Sequence, residues 1–298
     1  MIKMLRLIAS LLLTTMALAQ HASFNDINKL PARPPDHKIA YGPAPQQFGE
    51  LRLPKGKGPF PVIAIIHGGC WGDFADAGYM ANQATRLADA GAATWNIEFR
   101  RVEESGGAWP GTLQDVAAAL DHLRKLSQTY PLNLKRVVAT GHSAGGHLAL
   151  WAAGRKHIAK DSPLYVANPL PIAAAVSIAG IADLAAFVEY GRRPCGDRHV
   201  RLVGGTPNEV ASNYRAASPM ELLPLKVPQT LIFGGKDNTV PGHLFEQYVK
   251  KAKAAGDKVA EINFPDSAHF DYYMPGRMEE QRSLTAILEA AGLSQARK

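Results

Sequence analysis

The chain has 298 residues, of which 46% are hydrophobic and 20% charged, a composition that excludes the disordered and fibrous classes. Lys and Arg outnumber Asp and Glu by 33 to 26, for a formal charge of +7, so nucleic acid is the first partner to weigh. The cations fall in short scattered groups such as Lys55/Lys57, Lys135/Arg136 and Arg192/Arg193, with no interleaved aromatic register, and this excludes an obvious strand-binding face.

In chain order, the first feature is a leader. Lys3 and Arg6 precede an apolar run from Leu7 to Met16, and Ala17-Leu18-Ala19 supplies a small-x-small end. Residues 1–19 therefore have the pattern of a signal peptide cleaved before Gln20, which leaves a charge of about +5. No later stretch sustains the roughly 18 apolar residues of a membrane span. The expectation is an exported protein, periplasmic or extracellular, without stable membrane insertion and with 20–298 as a single domain. In that compartment Cys70 and Cys195 are free to pair.

Two short strand candidates follow, His37–Tyr41 and Phe48–Leu53, separated by Gly42-Pro43-Ala44-Pro45. Val62–Ile66 is a continuous β-branched run, the mark of a strand buried on both faces. Tyr79–Ala90 is a predicted helix closed by Gly91, and Ala92–Ile97 a second buried strand. Thr112, with Asp115 three residues on, is a candidate cap for a helix whose stripe is Leu113, Val116, Leu120, Leu123 and Leu126. Arg136–Thr140 is the next strand and Ala144–Arg155 an apolar, buried helix. Ile172–Ile178, Gln229–Phe233 and Lys258–Phe264 continue the strands, with helices at His243–Ala255 and Arg277–Ala291. This alternation predicts an α/β fold with one mostly parallel, doubly covered sheet. Residues 180–226 break the rhythm and are expected to form a lid-like insertion over the C-terminal edge of the sheet, where such folds place their ligands.

Gly141-His142-Ser143-Ala144-Gly145 is a G-x-S-x-G turn between a predicted strand and a predicted helix. The small residues permit a tight turn that projects the Ser143 hydroxyl into a cleft. A serine is a weak nucleophile at neutral pH, so it needs a base, and the base needs an acid to fix its tautomer. Asp237, in Gly234-Gly235-Lys236-Asp237, follows the strand Gln229–Phe233. His269 follows the last strand. Both would emerge at the edge where Ser143 sits. Asp183 competes as the acid from one strand earlier. Asp266 and Asp271 are expected on the surface, His142 in or behind the pocket, and His147 in the core. The tetrahedral intermediate also needs N–H donors: Ala144, just after the nucleophile, and Gly69 and Cys70 in His67-Gly68-Gly69-Cys70-Trp71. Trp71 either walls the pocket or pins its loop, and residues 96–101 are expected to form buried polar pairs beneath the site.

Together, Val62–Trp71, Gly141–Leu150, Asp237 and His269 resemble the α/β-hydrolase superfamily, in particular its small serine esterases with an H-G-G-x-W loop and a G-H-S-A-G-G-H turn. Acetyl- and feruloyl-esterase-like enzymes and the serine-type kynurenine formamidase belong to that branch. The resemblance implies the α/β-hydrolase fold and ester hydrolysis by a Ser-His-Asp triad without a cofactor. Its implied partner is a small-molecule ester or amide. A Cys70–Cys195 disulfide would tie the donor loop to the insertion. Three alternatives stay open: metal-dependent hydrolysis, for which no H-E-x-x-H spacing exists, a non-catalytic binding protein on the same scaffold, and amide or peptide hydrolysis.

Overall fold

A computed structural model describes residues 20–293; the expected leader lies outside them. Eight strands form one sheet: β1 (His37–Ala40), β2 (Phe48–Arg52), β3 (Phe60–Ile66), β4 (Ala93–Ile97), β5 (Leu132–His142), β6 (Ala174–Ile178), β7 (Gln229–Gly234) and β8 (Val259–Phe264). Their spatial order is β1-β2-β4-β3-β5-β6-β7-β8. The first two pair antiparallel at one edge, and β4 through β8 run parallel. The C-terminal ends of β3, β5, β6, β7 and β8 consequently open at one rim.

Burial explains the strand composition. Alternation along β3 sends Val62, Ala64 and Ile66 into one core and Ile63 and Ile65 into the other, all five inaccessible to solvent. Each of the Val and Ile side chains contributes on the order of 1.5–3 kcal/mol on burial, which is why the run lacks polar positions. In chain order the helices are α1 (Phe24–Asn28), α2 (Ala81–Asp89), α3 (Ala108–Asp121), α4 (Leu123–Leu126), α5 (Ala144–Gly154), α6 (Leu184–Cys195), α7 (Arg198–Val203), α8 (Ala211–Ala217), α9 (His243–Ala254) and α10 (Met278–Ala290). The Ile63/Ile65 face packs against Leu87 of α2 and Ile287 of α10, and the other against Leu113 of α3, Trp151 of α5 and Tyr248 of α9.

The start of α3 differs from the expectation. Its N-cap is Gly107 and Trp109 keeps an extended backbone, so Thr112 lies inside the helix. The Thr112 hydroxyl donates to the Arg100 carbonyl at 2.7 Å, and Asp115 binds Arg100 instead of closing a capping box. The insertion is helical, made of α6, α7, α8 and a 3₁₀ turn at Pro219–Leu222. It is joined to the loop after β3 by a Cys70–Cys195 disulfide. Arg198 strengthens the junction by donating to Glu103 at 2.6 Å and lying over the Phe74 ring.

Closing a loop of sequence separation 125 restricts the unfolded chain strongly. Cys195→Ser is expected to lower the unfolding free energy by about 4–5 kcal/mol in the chain-entropy account. Urea unfolding of the oxidised wild type and the variant measures the difference, and a reductant should shift the wild type toward the variant.

Candidate active site

Ser143 occupies the turn between β5 and α5 in a left-handed conformation, φ 55° and ψ −120°, unusual for a residue with a side chain. Close packing enforces it. A Cβ at Gly141 would lie 2.4 Å from the Gly145 carbonyl oxygen, and one at Gly145 would lie 2.0 Å from the Ile66 carbonyl oxygen, so neither glycine can carry a side chain without the turn shifting. The Ser143 N–H donates to the Ile178 carbonyl at 2.9 Å, anchoring the turn to β6.

Asp237 and His269 emerge after β7 and β8 and meet. His269 Nδ1–H donates to Asp237 Oδ2 at 2.7 Å, and Asp237 Oδ1 accepts the Thr239 and Val240 N–H groups at 2.8 and 2.9 Å. The Asp237 side chain has no solvent exposure. A carboxylate only accepts, so Nδ1 is the donor in this bond and the tautomer that carries its proton on Nδ1 leaves Nε2 as the acceptor. Asp183, the competing acid, is instead the N-cap of α6 and accepts from Ala185 and Ala186.

Ser143 and His269 line one cavity of about 360 Å³, and Gly69, Cys70 and His142 line it too. Larger hollows, about 420 Å³ beside His157 and about 610 Å³ beside Arg33, contain neither residue. Gly69, Cys70 and Trp71 are successive left-handed residues at φ 93°, 52° and 55°. This backbone brings the loop against Ser143: a Cβ on Gly68 would lie 3.2 Å from Ser143 Cβ. Among the described residues, the N–H groups of Gly69, Cys70 and Ala144 donate to no other protein group. Trp71 is fully buried, edge-on to His147 at 5.4 Å, and does not line the cavity; it pins the loop.

The strained loop rests on buried polar contacts. His67 Nε2 meets Glu98 Oε1 at 3.1 Å, Arg101 donates to the same oxygen at 3.1 Å, and the Ala77 and Phe99 N–H groups reach the carboxylate at 2.9 Å. Burial raises the affinity of Glu98 for a proton, but His67, Arg101 and these hydrogen bonds override it and hold the carboxyl below its ordinary value. The polar pairs expected within residues 96–101 thus support the loop from below.

His142 both lines the cavity and braces His269. Its Nε2–H donates to the His269 carbonyl at 2.7 Å, and Nδ1 accepts from the Tyr79 hydroxyl. Complete burial, then the nearby His269, push its pKa far down, so the ring stays neutral. His147 is a core residue, with Nε2–H on the Ala217 carbonyl at 2.9 Å and a pKa lowered by burial to about 4. Asp266 is exposed, as expected, but Asp271 is not a surface residue. It is 1% exposed because four donors compensate its burial: His21 Nδ1, the Ala22 and Ala268 N–H groups, and Arg277. Their sequence positions, up to 250 residues away, left no local signal of it.

With this geometry in place, the relatives are informative. The family described as BD-FAE matches residues 50–251. The chain belongs to the BD-FAE family. It is 24% identical over 208 residues to the probable carboxylic ester hydrolase LipM of Mycobacterium tuberculosis, covering 69% of this chain and 46% of that protein. A second relative, the acylamino-acid-releasing enzyme of Arabidopsis thaliana, is 24% identical over 218 residues, 70% of this chain and 27% of that one. The chain thus spans less than half the length of either. Among solved structures, a truncated carbohydrate esterase from gut microbiota superposes with a TM-score of 0.72 at 22% identity, over 86% of this chain and 95% of that one. The apo form of Thermogutta terrifontis esterase 2 gives 0.69 at 20% identity, over 90% and 98%. The α/β-hydrolase fold and the α/β-hydrolase esterase family implied by the sequence resemblance both hold.

Glu98→Gln removes a carboxylate from buried cationic partners and is expected to cost about 3 kcal/mol. Because the folded-state pKa is depressed, this stabilisation is complete above the ordinary value of 4.5 and is lost as pH falls through the lower folded value. Urea titrations of both proteins at pH 7 and pH 3.5 should show a large gap that narrows in acid.

Proposed function

We propose that this member of the BD-FAE family is a carboxylesterase that works through Ser143, His269 and Asp237 and a covalent acyl-enzyme. The observation that carries this reading is the 2.7 Å Asp237–His269 hydrogen bond, with His269 facing the same cavity as a strained serine. His269 Nε2 accepts the Ser143 proton as Oγ attacks the ester carbonyl. The Gly69, Cys70 and Ala144 N–H groups receive the developing oxyanion, each such donor being worth on the order of 3 kcal/mol. The imidazolium, stabilised by Asp237, protonates the departing alcohol. Water then attacks the acyl group, giving its proton to His269, and Ser143 is regenerated. No step requires a cofactor.

Amide hydrolysis is a second reading, favoured by the similarity to the acylamino-acid-releasing enzyme. Both use the same nucleophile and differ in the leaving group. Export is part of the proposal, supported by the composition of residues 1–19 and by the disulfide, which persists in oxidising compartments. Among the described residues no helix is long and apolar enough to cross a membrane.

Ser143→Ala is expected to lower kcat on p-nitrophenyl acetate by about 10⁵–10⁶-fold. Asp237→Asn should cost about 10⁴-fold. Thermogutta terrifontis esterase 2 is phosphorylated by paraoxon, and the same reagent should label Ser143 here, as peptide mass mapping would reveal. Undiminished turnover by Ser143→Ala would refute the serine mechanism, and faster cleavage of a p-nitroanilide than of the matching ester would favour the amide reading.

A further inference from the structure

The cavity beside Ser143 takes one wall from a distant part of the chain. Phe24, on α1, lies outside residues 50–251 matched to the family, yet its ring lines the cavity. It packs on Tyr79, Phe74 and Phe270 with centroids 5.3, 6.1 and 6.2 Å away. A five-residue helix does not persist by itself. Three anchors hold this one: a Ser23/Asp26 capping box, the Ile27 side chain at 3% exposure in the core, and the buried carboxylate of Asp271. Asp271 grips both sides of the junction, meeting His21 at 2.7 Å and the Ala22 N–H at 2.8 Å on one side and the Ala268 N–H at 2.8 Å on the other. Arg277 adds a bond to the Gln20 carbonyl at 2.6 Å. The position of Phe24 is thereby tied to the loop that carries His269.

Resting on the serine-esterase reading, we propose that Phe24 is the specificity-determining wall on the leaving-group side, and that this side takes an apolar, preferably aryl, alcohol. The side follows from the proton's path. The departing oxygen receives its proton from His269, so the alcohol occupies the space next to that ring. Phe270 stands edge-on to His269 with centroids 5.0 Å apart, and Phe24 closes against Phe270. The chemical class follows from the lining. Phe24, Phe74, Phe270 and Pro194 are apolar, Thr239 is neutral, and none of the described lining residues is an Asp, Glu, Lys or Arg. A charged alcohol would lose hydration there without a partner, whereas a flat ring meets aromatic edges and faces.

The test measures kcat/KM for wild type, Phe24→Ala and Phe24→Trp on two series. One series is phenyl and 1-naphthyl acetate; the other is p-nitrophenyl acetate and hexanoate. Phe24→Ala should raise the naphthyl-to-phenyl ratio about tenfold and Phe24→Trp should lower it, while the hexanoate-to-acetate ratio stays within about twofold. Each ratio comes from one preparation, so an incompletely folded fraction cancels. A naphthyl-to-phenyl ratio unchanged in both variants, or a larger response of the acyl series, overturns the proposal. Ser143→Ala on the same acetates separates the two readings. If it is inactive while the Phe24 ratios stay flat, only the wall is refuted. If it is fully active, the serine reading beneath it fails.

Discussion

Everything at the candidate site depends on how closely three backbone segments approach at the end of β5. Gly141, Gly145 and the Ile66 carbonyl crowd together so tightly that no Cβ fits between them, and Ser143 is left in a left-handed turn at the rim of the sheet. Such a conformation costs on the order of 1–3 kcal/mol and persists only when its surroundings determine it. Here the surroundings are the parallel strands on either side. β3 supplies the carbonyl that presses on Gly145, and β6 supplies the acceptor for the Ser143 N–H. The rim that strains the serine also receives the ends of β7 and β8, so Asp237 and His269 arrive there through topology and not through local sequence.

Around this turn the polar groups divide by task. Asp237 and the neutral His142 both act on His269, one at its ring and the other at its backbone carbonyl. Glu98 and Arg101 act on the facing loop through His67 and the Ala75 carbonyl. Each of these groups is buried, and each has its partner. The geometry is therefore held by contacts that are costly to break and insensitive to salt, unlike surface ion pairs such as Lys236–Asp266.

Much of this was legible in the sequence because it rests on local patterns. Buried β-branched runs marked the parallel strands, and the spacing of Ser143, Asp237 and His269 relative to strand ends marked the residues that meet at the rim. What escaped was decided by distant partners. α1 is too short to announce itself by periodicity, and its position comes from Asp271 and the Ile27 contact. Asp271 resembled a surface carboxylate until its donors from residues 21, 22, 268 and 277 were assembled. Thr112 had the composition of a cap, but a glycine five residues earlier took that position and the hydroxyl turned to the Arg100 carbonyl. Trp71 could have faced either way, and packing against His147 decided it.

The Cys70–Cys195 bond has a topological consequence. It makes the chain from 70 to 195 a covalent ring, and Ser143 lies inside that ring while Asp237 and His269 lie outside it. Cys70, Ser143 and Ala144 are thus bound together by covalent structure, with Gly69 just outside the ring, whereas His269 is aligned with them by β7, β8 and the contacts that fasten its loop. A partial opening of this last portion of the sheet would move His269 away from Ser143 while the ring stayed closed. The arrangement in which Ser143 and His269 share one cavity therefore depends on the C-terminal strands and on the segment clasped by Asp271, which the ring does not enclose.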